Sequence, residues 1–218
     1  MKSCWFAAAL VVLSCAPDRT SADSLPDVDP ILAANDWKGM DCDAACVAAH
    51  RRQRWLALVP GQGGWSLLPT RLSFDDVDAK GVRSSVAGAE FYLAHPALAV
   101  GRAATPDMRF KGNPRSFLGP QAAPLRIAFH GRAYQLAVEG HDVVLRSGDR
   151  KSVVGREDAD EYEETSLLWA GDLDGDGKLD LILDRRNSKS AGTCLMLSSV
   201  NRKPGELVAD VGCQYFSG

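Results

Sequence analysis

Residues 125–154 restrict the fold of this chain more than any other stretch. Leu125, Ile127 and Phe129 alternate with other residues, His130-Gly131 interrupts, and Tyr134, Leu136 and Val138 alternate again. Gly140-His141-Asp142 and Ser147-Gly148-Asp149 then set off two further short runs, Val143-Val144-Leu145 and Ser152-Val153-Val154. A side-chain period of two places every second residue on one face, which is how a half-buried strand reads. Glycine-bearing breaks join such strands into antiparallel hairpins. No apolar stripe of helical period interrupts the run. The expectation is a mainly β domain, an antiparallel meander arranged as a sandwich or a small propeller-like unit. No clean internal repeat fixes a blade count.

Other segments agree. Trp55-Leu56-Ala57-Leu58-Val59 runs into the turn cluster Pro60-Gly61-Gln62-Gly63-Gly64, and Trp65-Ser66-Leu67-Leu68 and Thr70-Arg71-Leu72-Ser73-Phe74 follow. These glycines form no phosphate-binding loop, because no Gly-Lys-Ser/Thr comes after them. Residues 75–120 are looser, with one strand candidate at residues 89–93. Residues 41–54 read as a short N-terminal helix, capped by Asp41 or Asp43. Its basic end (His50, Arg51, Arg52, Arg54) suits the negative end of the helix dipole.

The start reads as a leader. Met1-Lys2 precedes a short apolar run through Leu13, a secretory pattern too short to span a bilayer. Val12-Leu13-Ser14-Cys15 resembles a bacterial lipobox, which makes Cys15 the expected lipidation site. The other reading is ordinary cleavage after Thr20-Ser21-Ala22, with Cys15 discarded. The expected organisation is a leader over residues 1–22, a Pro-bearing linker over 23–36 and one β-rich domain over 37–218. The location implied is the periplasm, with the outer membrane as the anchor if Cys15 carries lipid.

Export implies an oxidising compartment. Four cysteines then remain, Cys42, Cys46, Cys194 and Cys213, which allow three pairings. The preferred pairing is Cys42 with Cys46 and Cys194 with Cys213, since the second pair flanks two strand-like runs. Zinc is the competing reading for the N-terminal pair, because Cys42, Cys46 and His50 recur every four residues. A fourth ligand is missing from that pattern.

Composition adds exclusions. With 45% hydrophobic and 24% charged residues the chain is neither collagen-like, nor disordered, nor polytopic. A net charge of −3 supplies no global basic field for nucleic acid. That average conceals a segment. Residues 157–184 hold eleven acids and one base, Lys178, so a −10 window faces a +7 remainder.

Within it, Asp172, Asp174 and Asp176 alternate, Gly177 follows, and Asp180 comes next. Hard carboxylate oxygens in a tight glycine-bearing turn suit Ca²⁺, which takes six to eight oxygen ligands. The Lys178 carbonyl is a backbone ligand in this reading, with its side chain pointing outward. Two carboxylates about 4 Å apart repel by roughly 4 kcal/mol at an effective dielectric near 20, which a divalent cation reverses. At 100 times its dissociation constant, calcium adds about 2.7 kcal/mol to folding stability. An EF-hand is excluded, because its twelfth position requires a bidentate acid and here holds Leu183. Leu179, Leu181 and Leu183 also alternate, so a strand follows the loop. The hairpin resembles the calcium hairpins of FG-GAP/VCBS-type repeats, and that resemblance implies a structural ion.

Upstream, Asp160, Glu161, Glu163 and Glu164 surround Tyr162, an aromatic amid acids that reads as an interface anchor with an electrostatic rim. Many enzymes that work on anionic peptidoglycan are basic, so this loop suits such a partner. The run 168–181, the leader, the β-rich domain and the Cys194/Cys213 pair together resemble the periplasmic immunity lipoproteins of antibacterial type IV secretion systems. Those proteins are themselves similar to lysozyme inhibitors. The resemblance implies inhibition of a secreted, lysozyme-like peptidoglycan hydrolase by a loop inserted into its cleft. Assigning Tyr162 to that loop is our inference from position and chemistry.

Catalysis by the chain itself is not expected. His50, His95, His130 and His141 are scattered, and neither Gly-x-Ser-x-Gly nor His-Glu-x-x-His occurs. The competing function is a calcium-stabilised adhesion or glycan-binding module of the cell envelope. It would need an aromatic platform from Trp55, Trp65 or Trp169, which fit equally as core residues.

Overall fold

Strand pairing begins earlier in the chain than its proline-bearing start suggests. The computed structural model describes residues 29–34, 44–74, 82–106, 115–117, 123–158, 162–200 and 203–217. Within the expected linker, Ile31–Ala33 form a strand, β1, with every residue buried. The linker reading is therefore corrected at its C-terminal end. Three apolar residues beside Pro30 are too few to register as a strand locally. They are held by tertiary pairing: Ile31 lies opposite Leu93, and Ala33 N–H donates to the buried Gln214 side chain at 3.0 Å.

The helix α1 (Ala44–Arg52) falls inside its expected range. Trp55 Nε1 donates to the His50 carbonyl at 2.8 Å, which satisfies one of the orphan acceptors at the helix end. His50 is buried against Phe74 and Trp55, and burial lowers its pKa to about 4. Cys46 is disulfide-bonded, which removes the zinc reading. Its expected partner Cys42 lies outside the described residues, as does Cys15.

Strands β2 (Trp55–Gly61), β3 (Gly64–Thr70), β4 (Leu72–Phe74), β5 (Val82–Ser84), β6 (Phe91–Leu93) and β7 (Gly101–Ala103) follow. They form an antiparallel sheet ordered β1-β6-β2-β3-β7, with β4 and β5 as a separate small hairpin. After β8 (Arg115–Ser116) comes the expected meander: β9 (Leu125–Phe129), β10 (Arg132–Glu139), β11 (Asp142–Ser147) and β12 (Arg150–Arg156). At its first turn both His130 and Gly131 have positive φ (44° and 74°), the signature of a two-residue hairpin that matches strand twist. Last come β13 (Glu164–Gly171), β14 (Asp180–Arg186), β15 (Ser190–Leu197) and β16 (Ala209–Ser217), in the sheet order β16-β15-β14-β13-β8.

This last sheet is central. Leu181, Leu183 and Met196 pack with Ile127, Tyr134, Leu136 and Leu145 of the meander. Ile182, Leu195 and Leu197 point the other way, onto Leu56, Leu58, Leu67 and Leu93 of the N-terminal sheet. A sheet covered on both faces reads as a continuous apolar run, as Leu181-Ile182-Leu183 does. Every sheet is open, so the described residues form no closed barrel. The Cys194–Cys213 disulfide joins directly opposed residues of β15 and β16, with a Cα–Cα distance of 4.0 Å.

Candidate metal loop and candidate partner hairpin

The two features singled out in the acidic segment lie at opposite ends of β13. Eight residues of strand separate them by about 23 Å. Their closeness in sequence suggests that an ion in the first braces the second directly; the strand between them makes that contact impossible.

At the C-terminal end of β13 the chain turns back into β14 through residues 172–179. Gly171 has to be glycine, because a Cβ there would lie 2.4 Å from the Ala104 carbonyl and 2.5 Å from the Trp169 ring. That close approach lets Asp172 N–H donate to the Ala104 carbonyl at 2.8 Å. Gly175 and Gly177 take φ of +80° and +75°, conformations that side chains disfavour, and they fold the turn inward.

The carboxylates are then ordered by backbone donors. Asp172 accepts from Gly175 N–H at 2.7 Å and from Gly177 N–H at 3.0 Å. Asp174 Oδ1 accepts from Asp176 N–H at 3.1 Å, while its Oδ2 is buried with no hydrogen-bond partner among the described residues. Asp176 Oδ1 accepts from Lys178 N–H at 2.8 Å and from Ser198 Oγ at 3.0 Å. One carboxylate oxygen from each of the three residues lies within 4.8 Å of the others. Oxygens at 2.3–2.6 Å from a common Ca²⁺ are separated by no more than about 5 Å, so the trio fits that ion. The orphaned Asp174 Oδ2 fits it too, as an acceptor lacking a positive partner.

Asp180 and the Lys178 side chain are placed differently from expectation. Asp180 is fully buried and outside the trio. Its Oδ2 accepts from Leu173 N–H at 2.7 Å and its Oδ1 from Ser198 N–H at 2.8 Å, so it fastens the loop to the end of β15. Lys178 does not point away. Its Nζ lies 2.6 Å from Asp176 Oδ2 and is the local counter-charge.

The charges respond accordingly. Burial, and then the Asp174 charge, raise the Asp180 pKa to about 8 against the pull of its hydrogen bonds. Asp174 is also raised, first by burial and further by Asp176 and Asp172. Burial works against the Asp176 carboxylate too, but its bonds to Lys178 and Ser198 outweigh that and lower it. Carboxyls pushed up by burial and by each other are stabilised by a proton or by a cation.

The loop is also a junction. Leu173 O accepts from Ala99 N–H at 3.0 Å and Asp172 bonds Ala104, both in or beside the N-terminal sheet. Gly177 O meets His130 Nδ1 at 3.2 Å, at a hairpin tip of the meander. Asp176 and Asp180 reach Ser198 at the end of β15. Ser198 lies 22 residues beyond Asp176, and no sequence signal links them.

At the other end of β13, Asp158 N–H donates to Glu163 O at 2.9 Å and Glu163 N–H to Asp158 O at 2.8 Å. This pair closes a hairpin whose four connecting residues are 159–162. Asp160 and Glu161 lie outside the described residues. Tyr162 is 75% exposed, with a φ of 57° that is unusual for a side-chain-bearing residue.

The base of this hairpin is stitched. Thr165 Oγ1 donates to Arg156 O at 2.8 Å and accepts from Arg156 N–H at 3.1 Å, so one side chain stands in for a strand pairing. Gly155 makes room for it, since a Cβ there would be 2.3 Å from Thr165 Oγ1. Glu157 is buried, and its Oε1 accepts from Thr165 N–H at 2.8 Å. Burial raises its pKa to about 6. Within this acidic run Glu157 is thus a structural brace, not a solvated charge. Glu163 pairs with Arg156 at 3.1 Å and Asp158 with His141 at 3.1 Å. A glycine inside a strand signals close approach, which is the one sequence clue to this stitch.

Trp55 and Trp169 are 2% exposed, and Trp65 packs edge-on to Trp169 with ring centroids 6.3 Å apart. Trp55 and Trp169 are therefore no open platform for sugar, and Trp65 is partly buried. No protein-family model, no curated protein and no solved structure matches the chain.

Proposed function

We propose that the protein is a calcium-stabilised inhibitor of a basic peptidoglycan hydrolase, acting through the hairpin tipped by Tyr162. The observation that carries the reading is that hairpin: its base is pinned by the Asp158/Glu163 pair and by Thr165, and its single aromatic stands 75% exposed amid acids. An exposed aromatic on a pre-ordered support loses little entropy on binding, and acids around it speed encounter with a cationic cleft. The leader, read from sequence, is consistent with the compartment where such an enzyme acts.

Calcium fits the Asp172, Asp174 and Asp176 oxygens, with Asp180 holding the loop from behind. When bound it would supply positive charge to carboxyls that burial and mutual repulsion now penalise. Its role in this reading is mechanical, because the loop ties the N-terminal sheet, the central sheet and the meander together. The residues that meet the hydrolase lie at the far end of β13.

A lytic assay tests the function. Purified protein should slow cell-wall lysis by egg-white lysozyme or by a secreted hydrolase encoded beside it. Replacing Tyr162 by Ala and Glu161 and Glu163 by Gln together should abolish the effect. Undiminished inhibition by that variant would remove the hairpin from the mechanism.

A further inference from the structure

The three most exposed large hydrophobic side chains among the described residues are Tyr162 at 75%, Val153 at 55% and Tyr215 at 54%. They belong to three different strands or turns, yet they border one region. Val153 and Tyr215 line a groove of about 330 Å³, and Glu163 and Glu164, the residues after Tyr162, line it too. Exposed apolar groups scattered singly need no explanation, but two lining one groove, with a third one residue beyond its rim, mark a contact surface.

Each is held in place. The Tyr215 ring lies across Gly192 of the neighbouring strand, so close that a Cβ at Gly192 would sit 2.5 Å from the ring. The ring is thus packed on Gly192 while the residue stays 54% exposed. Val153 flanks a bulge in β12: pairing passes from Gly155 to Val153 and skips Val154, whose side chain is buried. A bulge of this kind re-aims neighbouring side chains and ends regular pairing. Val154 O is in turn taken by the Arg185 guanidinium at 2.6 Å.

The groove also indicates what it does not hold. Its arginines are already engaged: Arg156 with Glu163 at 3.1 Å, Arg185 with Asp210 at 2.8 Å and Arg186 with Asp184 at 2.7 Å. Neutralised in this way, they form no trap for phosphate or an acidic peptide. Glu163 is cancelled by the same pairing, which leaves the Glu164 carboxylate to favour a partner of positive charge at the rim.

We infer that Val153 and Tyr215 continue the Tyr162 hairpin as one protein-docking face, whose occupant is the rim of the cationic hydrolase cleft that receives the hairpin. This rests on the proposed function and extends it: Tyr162 enters the cleft, while an apolar side chain of the rim seats between Val153 and Tyr215. Rigid aromatics that need no ordering are the residue type that dominates such interfaces.

The test uses the full chain in calcium and egg-white lysozyme as the basic probe, with binding measured by surface plasmon resonance. The native protein should bind, and Tyr162→Ala should weaken binding by at least about thirtyfold, a typical hot-spot loss. Tyr215→Ala and Val153→Lys should each weaken it by at least about tenfold, with melting temperatures within a few degrees of native. If Tyr215→Ala loosens the fold, Val153→Lys decides, because it places a positive charge at an exposed position facing a cationic partner. Loss with Tyr162→Ala but native affinity in Val153→Lys would overturn the inference and leave the proposed function standing. Loss with Val153→Lys but not with Tyr162→Ala would support the face and remove the hairpin as its anchor. No binding by the native protein would overturn the inference, and the lytic assay would then decide the proposed function by itself.

Discussion

Both ends of β13 are acidic, and they use their acids in opposite ways. At the C-terminal end, Asp172, Asp174 and Asp176 turn inward, each tied to backbone N–H groups of its own loop. At the N-terminal end, Glu157 is buried as a brace, Glu163 is held by Arg156, and Tyr162 projects into solvent. The difference lies in spacing and glycine. Acids at alternate positions with Gly175 and Gly177 between them can converge, because the glycines accept positive φ. The upstream acids have no glycine among them and close instead through the Asp158/Glu163 pair. Acid density alone therefore says little about a site; the backbone it rides on decides whether charge is gathered or presented.

The largest expected effect is at the gathered end. Asp180→Ala strands the buried N–H groups of Leu173 and Ser198, and each costs about 1–3 kcal/mol when unsatisfied. Urea unfolding in calcium should show a loss of about 3 kcal/mol. A loss under about 1 kcal/mol would mean Asp180 is not the fastening described. Next comes Tyr162→Ala, which should reduce hydrolase inhibition by roughly 2 kcal/mol, about thirtyfold, without changing calcium binding. If calcium binding falls as well, the two ends are coupled through β13 and do not act separately.

Thr165→Val keeps the shape but removes the oxygen that serves both Arg156 N–H and Arg156 O. A destabilisation of about 1–2 kcal/mol is expected, with faster amide exchange at Asp158 and Glu163 and native exchange at Gly175 and Gly177. Uniform acceleration at both ends would count against two independently built loops.

The smallest effect is a pH slope. The Glu157 pKa is raised in the folded state to about 6, so folding favours its protonated form. Its contribution is fully present below the ordinary carboxylate range and is lost as pH rises through about 6. Glu157→Gln should flatten the part of the stability profile between pH 4.5 and 7. His50, lowered to about 4, acts the other way, with stability falling as pH drops from 6.5 toward 4. An unchanged profile in Glu157→Gln would assign the slope elsewhere.

The meander was legible because its alternation and its Gly-containing turns point to the same register, as in Leu125, Ile127 and Phe129 before His130-Gly131. The acidic loop was legible for a similar reason, a spacing with a mechanism behind it. What escaped the sequence is tertiary. β1 is three residues held by Leu93 and Gln214 from far along the chain. Leu181-Ile182-Leu183 serves two cores at once, so its alternation describes only the face toward the meander. Ser198 joins the acidic loop from the end of another strand. The distance between Tyr162 and the aspartates depends on how many residues β13 holds, and adjacency in sequence conceals that length.

In the proposed reading Asp172, Asp174 and Asp176 hold one calcium ion at the junction of three sheets, remote from the Tyr162 hairpin. Calorimetric titration of EGTA-stripped protein tests it most directly. One Ca²⁺ should bind per chain, with binding abolished in Asp174→Ala and Asp176→Ala and unaltered in Tyr162→Ala. No binding heat in the native protein at any temperature tried, or binding that survives in both aspartate variants, would contradict it.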